Sequence, residues 1–124
     1  MLDADDVIAL AASNSPQSRF LAVAVQVGQR LPAERTSLGR VLLAHQTNDA
    51  SPAAAQIRAD GFVITDGLLE TGLRSVGVPV RDHNGDVIAA LSVAVNAVRV
   101  SIEQLEGECL PQLRQASDDI SAVL

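Results

Sequence analysis

Two runs of alternating large and small residues meet at Asn84 and Gly85 in the second half of the chain. Alternation with a period of two is typical of a half-buried strand, and Asn-Gly between two such runs predicts a two-residue hairpin loop. The stretch RSVGVPVRDHNGDVIAALSVAV therefore predicts an antiparallel hairpin. That loop would fix the pairing of the strands: His83 with Asp86, Arg81 with Ile88, Pro79 with Ala90, Gly77 with Ser92 and Ser75 with Ala94.

The two faces of this hairpin differ in side-chain size. The first, which we call the aliphatic face, carries Val76, Val78, Val80, Ala89, Leu91, Val93 and Val95. The second, the small face, carries Ser75, Gly77, Pro79, Ala90, Ser92 and Ala94. The aliphatic face suits burial against helices. The small face leaves room above the sheet for a ligand or for the close approach of another element, and the pattern favours neither.

Apolar residues spaced three and four apart predict two helices in the middle of the chain. The first runs from Ser37 to about His45, with Thr36 or Ser37 as its N-cap. The second is the short stretch PAAAQIRAD, which Ser51 caps at its start and Gly61 closes. The start of the first helix could bind a carboxylate through its backbone N–H groups, or the same residues could serve only as a cap.

The final segment, SIEQLEGECLPQLRQASDDISAVL, also has a helical pattern. Pro111 lies inside it and Gly107 weakens the same turn, so one kinked helix and two helices at an angle are equally compatible with the sequence. The apolar residues offered to the aliphatic face are Ile102, Leu105, Leu110, Leu113 and Ile120.

The beginning of the chain contains two short apolar runs, VIALAA at 7–12 and FLAVAV at 20–25. The turn-forming SNSPQS separates them, and together they predict a second hairpin. Leu31-Pro32 is expected to break the extended run that follows.

Composition and charge narrow the class of protein. With 124 residues, 48% of them hydrophobic and 19% charged, the chain is expected to form one folded domain over 1–124. The net charge of −6 and the absence of lysine argue against direct binding to a nucleic-acid backbone. Neither a leader nor an apolar run of about 20 residues is seen, so we expect a cytoplasmic protein without membrane contact.

The residue types that carry chemistry are sparse, and no enzyme activity, cofactor or metal site is expected. Asp3, Asp5 and Asp6 lack the glycine-centred loop of a calcium site, so a solvated turn is favoured. Ser37 and Ser75 stand outside any Gly-x-Ser-x-Gly motif. The single cysteine, Cys109, and two histidines, far from it in sequence, do not make a zinc site, and Cys109 is expected to be a small apolar residue packed on a helix.

Arg74 precedes the small-residue strand and is the charged residue with two open interpretations. It could form a structural ion pair, with Glu70 as the candidate partner, or attract an anionic ligand. Asp66 and Glu70 flank the same stretch, and a surface pair is favoured over a catalytic dyad.

The ordered combination RLPAERTSLGRVLLA, IRADGFVITDGLLETGLRSVGVPVRDHNGDVIAALSVAV, RVSIEQL and LPQLRQASDDISAVL resembles the effector-binding domain of IclR-type bacterial transcriptional regulators. It is most similar to the subgroup that governs the catabolism of aromatic acids such as protocatechuate and 4-hydroxybenzoate. The resemblance implies an α+β fold, a twisted antiparallel sheet flanked by helices and similar to the GAF and PAS folds.

The resemblance also implies a site for a small organic acid effector. Carried over position by position, it points to Thr36, Ser37, Leu38, Gly39, Thr65, Asp66, Ser75, Ser92 and Ala94. Three of these, Ser75, Ser92 and Ala94, lie on the small face, and the small face adds Gly77.

Family resemblance further implies a homodimer or homotetramer and binding to operator DNA only through an N-terminal winged helix-turn-helix, which this chain does not contain. Compared with the family, the chain is expected to be shortened between 45 and 57. The alternative function is a GAF-like dimerisation module that takes no small ligand.

Overall fold

The structure is a computed structural model that describes residues 2–3, 6–8, 30–46 and 51–124. One antiparallel sheet has the strand order β1 (Leu2–Asp3), β2 (Asp6–Ile8) and β3 (Arg30–Pro32). A second antiparallel sheet has the order β4 (Val63–Asp66), β5 (Leu73–Arg81) and β6 (Val87–Asn96). The helices are α1 (Ser37–Gln46), α2 (Pro52–Asp60), α3 (Ile102–Gln104) and α4 (Leu110–Ser121). The expected α+β class is confirmed.

The first sheet corrects one expectation at the beginning of the chain. Leu31 and Pro32 do not break the extended run, because Arg30–Pro32 forms β3 and pairs with β2. Pro32 has the extended backbone angles φ −64° and ψ 126°, and as the last strand residue it can be accommodated without a ladder N–H. The predicted hairpin of 7–12 and 20–25 lies outside the described residues, apart from Val7 and Ile8 in β2.

The β5–β6 hairpin has the pairing that the sequence predicts over most of its length. The alternation therefore places the aliphatic and small residues on opposite faces, as expected. The confirmed pairs include Ser75 with Ala94, Gly77 with Ser92 and Pro79 with Ala90.

The loop of this hairpin differs from the predicted two-residue turn. Arg81 pairs with Val87 instead of Ile88, because the register shifts after Val80. The Asp82 carboxylate accepts hydrogen bonds from the backbone N–H groups of Asn84 and Asp86, at 2.9 and 3.1 Å, which stabilises a longer turn. Gly85 takes the left-handed φ of 84° that closes it. The extra residue is absorbed as a β-bulge.

The aliphatic face is buried against the C-terminal helical segment. Val76 and Leu105 are fully buried where the sheet and the helices meet. Ile102 and Ile120, expected in this core, are both 38% exposed. Ile102 precedes the first buried turn, and Ile120 follows Ser117, the last inward position of α4. The buried cluster consists of Val76, Val78, Val95, Val100, Leu105, Cys109, Leu110 and Leu113.

In the C-terminal segment, a π-helical turn precedes Pro111. Residues Leu105–Cys109 form a π-helical turn between α3 and α4, and the Leu110 N–H donates to the Leu105 carbonyl. In a regular α-helix a proline ring clashes with the carbonyl four residues before it, which for Pro111 is that of Gly107. The π-helical turn interrupts the regular α-helical hydrogen bonding just before this proline. The run thus stays helical on both sides of Pro111.

Pro79 lies in β5 beyond the end of β4, which stops at Val63 opposite Gly77. A proline without an N–H is tolerated there because none of the described strands pairs with β5 on that side. The Pro79 carbonyl instead accepts a hydrogen bond of 2.7 Å from the buried Ser117 hydroxyl of α4. Ser117 therefore helps to fix α4 on the aliphatic side of the sheet.

Candidate functional site

The first helix begins with Thr36 as its N-cap, which resolves the choice between Thr36 and Ser37. The Thr36 Oγ1 accepts a hydrogen bond of 3.0 Å from the Gly39 N–H, and the Thr36 carbonyl accepts one of 3.0 Å from the Arg40 N–H. This is the N-cap geometry that satisfies one of the unpaired donors of a helix start. Ser37 is therefore the first helical residue, and its side chain is free to make contacts outside the helix.

The start of α1 lies directly on the small face of the sheet. A Cβ atom at Gly77 would lie 2.9 Å from the Ser37 carbonyl oxygen and 3.0 Å from the Ser37 Cβ. Both distances are shorter than ordinary van der Waals contact. At Gly77, the small face thus serves the close approach of a helix.

The same helix start packs tightly on the 3-10 turn Ala33–Arg35 that precedes it. A Cβ atom at Gly39 would clash with the backbone of Ala33. Gly39, assigned to the ligand site by family resemblance, therefore has a packing role that accounts for the glycine.

Three buried hydroxyl groups connect α1 to the sheet, and we call them the hydroxyl chain: Thr65, Ser75 and Ser37. The Oγ atoms of Thr65 and Ser75 are 2.7 Å apart, and the Ser75 hydroxyl donates to Ser37 Oγ at 2.8 Å. Register places Thr65 opposite Ser75 on adjacent strands. All three side chains are at least nine-tenths buried. Residues from α1, β4 and β5 thus meet at one point.

Two further predicted site residues lie beside this chain on β6. Ser92 is paired with Gly77 and Ala94 with Ser75, and both are half-buried. Leu38, also half-buried, follows Ser37 in α1. Most of the predicted site is therefore contiguous across α1, β4, β5 and β6.

Asp66 is the predicted site residue that the structure separates from the others. It alternates with Thr65 along β4, so its side chain belongs to the opposite face of the sheet. There its Oδ1 lies 3.0 Å from Nε of Arg74, the residue directly opposite in β5. The sequence suggested Glu70 as the partner of Arg74. The strand register explains why Arg74 pairs with Asp66 instead.

The other contacts of Arg74 are structural as well. Its guanidinium donates to the backbone carbonyl of Val100 at 2.9 Å and to that of Ala97 at 3.3 Å. Arg74 thus joins β4, β5 and the turn before α3, which supports the structural interpretation of this arginine.

Sequence reasoning missed a contact made by Arg35, next to the N-cap. Its Nε donates to the Leu68 carbonyl at 2.9 Å and a terminal nitrogen donates to the Leu69 carbonyl at 3.1 Å. Both acceptors belong to the loop between β4 and β5. A side chain that bonds to backbone atoms more than thirty residues away leaves no periodic signal in a sequence.

The far end of α1 has a different electrostatic environment. The pKa of His45 lies below its ordinary value because burial disfavours the charged ring, and because Arg81 and Arg58 repel the positive charge. Its Nε2 is buried and has no hydrogen-bond partner in the described part of the chain. Arg58 also donates to the carbonyl of Ala44 at 2.9 Å. This end of the helix was not singled out from the sequence.

The hydroxyl chain and the start of α1 offer hydrogen-bonding groups. Ser37 and His45 are separated by about 12 Å along the axis of α1, so the histidine does not serve the serine as a base. Within the described ranges, no three histidine, cysteine or acidic side chains are grouped to hold a metal ion. No helix among the described residues is both long and apolar enough for a transmembrane span.

The sequence is similar to those of known transcriptional regulators. The family model "Bacterial transcriptional regulator IclR C-terminal" matches residues 51–122. The Pca regulon regulatory protein of Pseudomonas putida is 36% identical over 143 residues, which cover 96% of this chain and 49% of the relative. The p-hydroxybenzoate hydroxylase transcriptional activator of Acinetobacter baylyi is 26% identical over 147 residues, covering 97% and 54%.

Both alignments are longer than the chain, so these relatives carry residues within the aligned region that this chain lacks. The position of that difference, expected between 45 and 57, stays a prediction. The chain spans about half the length of the relatives it matches.

Solved structures of related regulators have a similar fold. One is the inducer-binding domain of a double mutant of the PobR transcription factor from Acinetobacter, in complex with 3-hydroxybenzoic acid. It matches with a TM-score of 0.86 and 26% identity over 99% of this chain and 85% of that one. The C-terminal domain of Escherichia coli KdgR matches with a TM-score of 0.75 and 29% identity, over 98% and 82%. Because the family model covers more than half of the sequence, the chain belongs to the C-terminal domain family of IclR bacterial transcriptional regulators.

Proposed function

We propose that this domain senses a small organic acid, with aromatic hydroxy acids as the preferred class. In the full-length regulator, binding would control the DNA contact of an attached winged-helix domain. The observation that carries the proposal is the hydroxyl chain, which ends on the first turn of α1 beside the half-buried residues of the small face.

The donors for a carboxylate are the Ser37 hydroxyl and the backbone N–H groups of Ser37 and Leu38. Among the described residues, none of these three groups donates a hydrogen bond to another part of the protein. The helix dipole favours negative charge at this end, and charge-assisted hydrogen bonds are about twice as strong as neutral ones. The Gly39 N–H is already used by Thr36, so it contributes no donor.

We place the ring of the acid toward β6. Ser37 covers Gly77, so a ring has no room above that residue. Ser92 and Ala94 are small and half-buried, and they border the hydroxyl chain. A planar ring fits over side chains of this size, whereas larger side chains would fill the space.

The choice of aromatic hydroxy acids rests on relatives. A related domain has been solved with 3-hydroxybenzoic acid, and two relatives are named for the Pca regulon and for p-hydroxybenzoate hydroxylase. We infer a homodimer or homotetramer as the functional form. An acid that binds one assembly state better than another shifts the equilibrium between them, with coupling typically about 1 to 3 kcal/mol.

The test is a thermal-shift screen followed by titration calorimetry. The panel contains 3-hydroxybenzoate, 4-hydroxybenzoate, protocatechuate and a series of acids with two to four carbons. We expect at least one acid to raise the melting temperature in a concentration-dependent way, since a ligand that binds only the folded state stabilises it. If no acid shifts the transition, the sensing proposal is wrong and the GAF-like dimerisation module becomes the better interpretation.

A further inference from the structure

The tip of the β5–β6 hairpin carries an asparagine followed by a glycine, and both residues are exposed. The backbone N–H of Asn84 donates to the Asp82 carboxylate, but the Asn84 side-chain amide has no hydrogen-bond partner among the described residues. A Cβ atom at Gly85 would meet none of the described residues within 4 Å. In this part of the chain, therefore, neither packing nor a side-chain hydrogen bond keeps the Asn84 amide away from the Gly85 backbone nitrogen.

We infer that Asn84 is a site of spontaneous deamidation in the folded protein, and that the hydrogen bonds of Asp82 slow the reaction. The Gly85 nitrogen loses its proton to the solvent and attacks Cγ of Asn84. A cyclic succinimide forms, and the side-chain nitrogen takes up a proton and leaves as ammonia. Water then opens the ring: hydrolysis at Cγ gives aspartate, and hydrolysis at the backbone carbonyl carbon gives isoaspartate. The reaction needs no ligand.

The residue after an asparagine determines how easily its nitrogen reaches Cγ. A side chain at that position hinders the approach, and glycine has none. The exposed tip of a hairpin also restrains the backbone less than the middle of a strand does, and such tips are where covalent changes to a chain concentrate. Asn84 and Gly85 meet both conditions.

Asn96 offers a comparison within the same chain, because it is half-buried at the end of β6 and is followed by an alanine. Its Oδ1 accepts a hydrogen bond of 2.8 Å from the Val98 N–H, so its side chain is held in place. The nitrogen that would attack it belongs to Ala97, and that N–H donates to the Gly72 carbonyl at 2.9 Å. Asn96 is therefore expected to react much more slowly than Asn84.

The turn itself opposes the reaction at Asn84. The Gly85 N–H donates to the Asp82 carbonyl at 3.0 Å, and this bond must break before the nitrogen can attack. The Asp82 carboxylate accepts hydrogen bonds from the N–H groups of Asn84 and Asp86, which fixes the backbone on both sides of Gly85. Without that carboxylate the turn opens more often, and the Gly85 nitrogen becomes free more often.

The products differ from asparagine in charge and in backbone length. Both place a new carboxylate at the tip, close to Arg81, whose guanidinium donates to the Gly85 carbonyl at 2.8 Å. Isoaspartate also adds one atom to the main chain of the turn. The turn is closed by a 2.9 Å hydrogen bond from the Asp82 N–H to the Asp86 carbonyl, so the isoaspartate form is expected to close it with a changed geometry.

The test follows the purified protein during a long incubation in mildly alkaline buffer, beside a synthetic peptide of residues 80–88. Trypsin cleaves after arginine, so residues 82–99 form one peptide that contains both Asn84 and Asn96. Fragmentation in a mass spectrometer measures the conversion of each amide to an acid, and chromatography separates aspartate from isoaspartate. We expect Asn84 to react at least about tenfold faster than Asn96, which two hydrogen bonds restrain, and more slowly than in the peptide.

Asp82→Ala and Asp86→Ala form a matched pair. Each removes one carboxylate from the turn, but only that of Asp82 accepts hydrogen bonds from the described residues. We expect Asp82→Ala to deamidate about fivefold faster than the wild type, the size of one hydrogen bond, and Asp86→Ala to stay within about twofold. A denaturation curve shows that each variant is folded, and the comparison of Asn84 with Asn96 in the wild type does not depend on the variants.

An Asn84 that stays intact in the folded protein while the free peptide is converted overturns the inference. Conversion of Asn84 and Asn96 at the same rate also overturns it, because the turn would then confer no special reactivity. Equal rates in folded Asp82→Ala and Asp86→Ala overturn the part assigned to the Asp82 hydrogen bonds.

Discussion

The two faces of the β5–β6 hairpin pack against different parts of the protein, one against large side chains and the other against a helix backbone. The aliphatic face is filled by bulk: Val76, Val78 and Val95 pack against large residues of the C-terminal helices. The small face is filled by backbone, since α1 approaches Gly77 so closely that a single methyl group would clash. The two faces also differ in polarity: the hydroxyl chain lies on the side of the small face, whereas the aliphatic face packs in an apolar cluster. One pair of strands thus supports a core on one side and, on the other, the surface where we place the ligand.

The largest effect is expected from removing bulk on the aliphatic side. Leu105 is fully buried there, so Leu105→Ala should lower the free energy of unfolding by about 3 kcal/mol through lost apolar contacts and a residual cavity. Chemical denaturation measures it. Ile102→Ala, at a residue 38% exposed, is the control and should cost less than about 1 kcal/mol. Equal losses would show that the two positions do not differ in packing.

Adding bulk should be the damaging change on the small face. Gly77→Ala places a Cβ atom 2.9 Å from the Ser37 carbonyl oxygen, so α1 must shift, at a cost of about 2 kcal/mol. Gly107→Ala is the matched control, because a Cβ atom there meets none of the described residues within 4 Å. Thermal or denaturant unfolding compares the two. If both variants are as stable as the parent, the close contact between α1 and the sheet is wrong.

A third change separates ligand binding from stability. Ser92→Leu puts a branched side chain over the part of the small face where we place the ligand ring. Affinity for the effector should fall at least about tenfold, while the folded state is largely kept because Ser92 is only half-buried. Ser37→Ala should weaken binding less, because the backbone donors of α1 remain. Calorimetry with unchanged affinity in Ser92→Leu would identify this region as packing surface only.

The smallest effect concerns pH and belongs to the α1 side of the sheet. The pKa of His45 is lowered in the folded state, so the unfolded chain binds the proton more readily. Stability should therefore decrease as the pH falls below the ordinary histidine pKa of about 6.5, until the folded ring also becomes protonated. His45→Gln should flatten this part of the profile. An unchanged slope in the variant would assign the pH dependence to other groups.

The alternating pattern was sufficient to predict the two faces and the register of Ser75, Gly77 and Pro79, because a period of two determines which residues share a face. The hairpin loop was not predicted, since the Asp82 side chain stabilises a longer turn by bonding to two backbone N–H groups. Asn84-Gly85 is compatible with either turn, and the sequence alone favoured the shorter one.

The sequence predicted the residues of the candidate site, but it did not predict the hydrogen bonds among them. Thr65, Ser75 and Ser37 were predicted as residues of one ligand site, and in the structure they are hydrogen-bonded to one another. Such bonds depend on the distance between elements far apart in sequence. Asp66 was grouped with them by resemblance, although strand alternation places it on the other face.

A pair of hydrogen bonds from Arg35 connects the start of α1 to the β4–β5 loop. Arg35 precedes the N-cap of α1 by one residue, and its acceptors are two consecutive carbonyls of that loop. Gly67 and Gly72, both with left-handed φ angles, bound the loop at its two ends. The position of the loop, and of its partly exposed Leu68, is therefore tied to the position of α1, the helix that covers the hydroxyl chain.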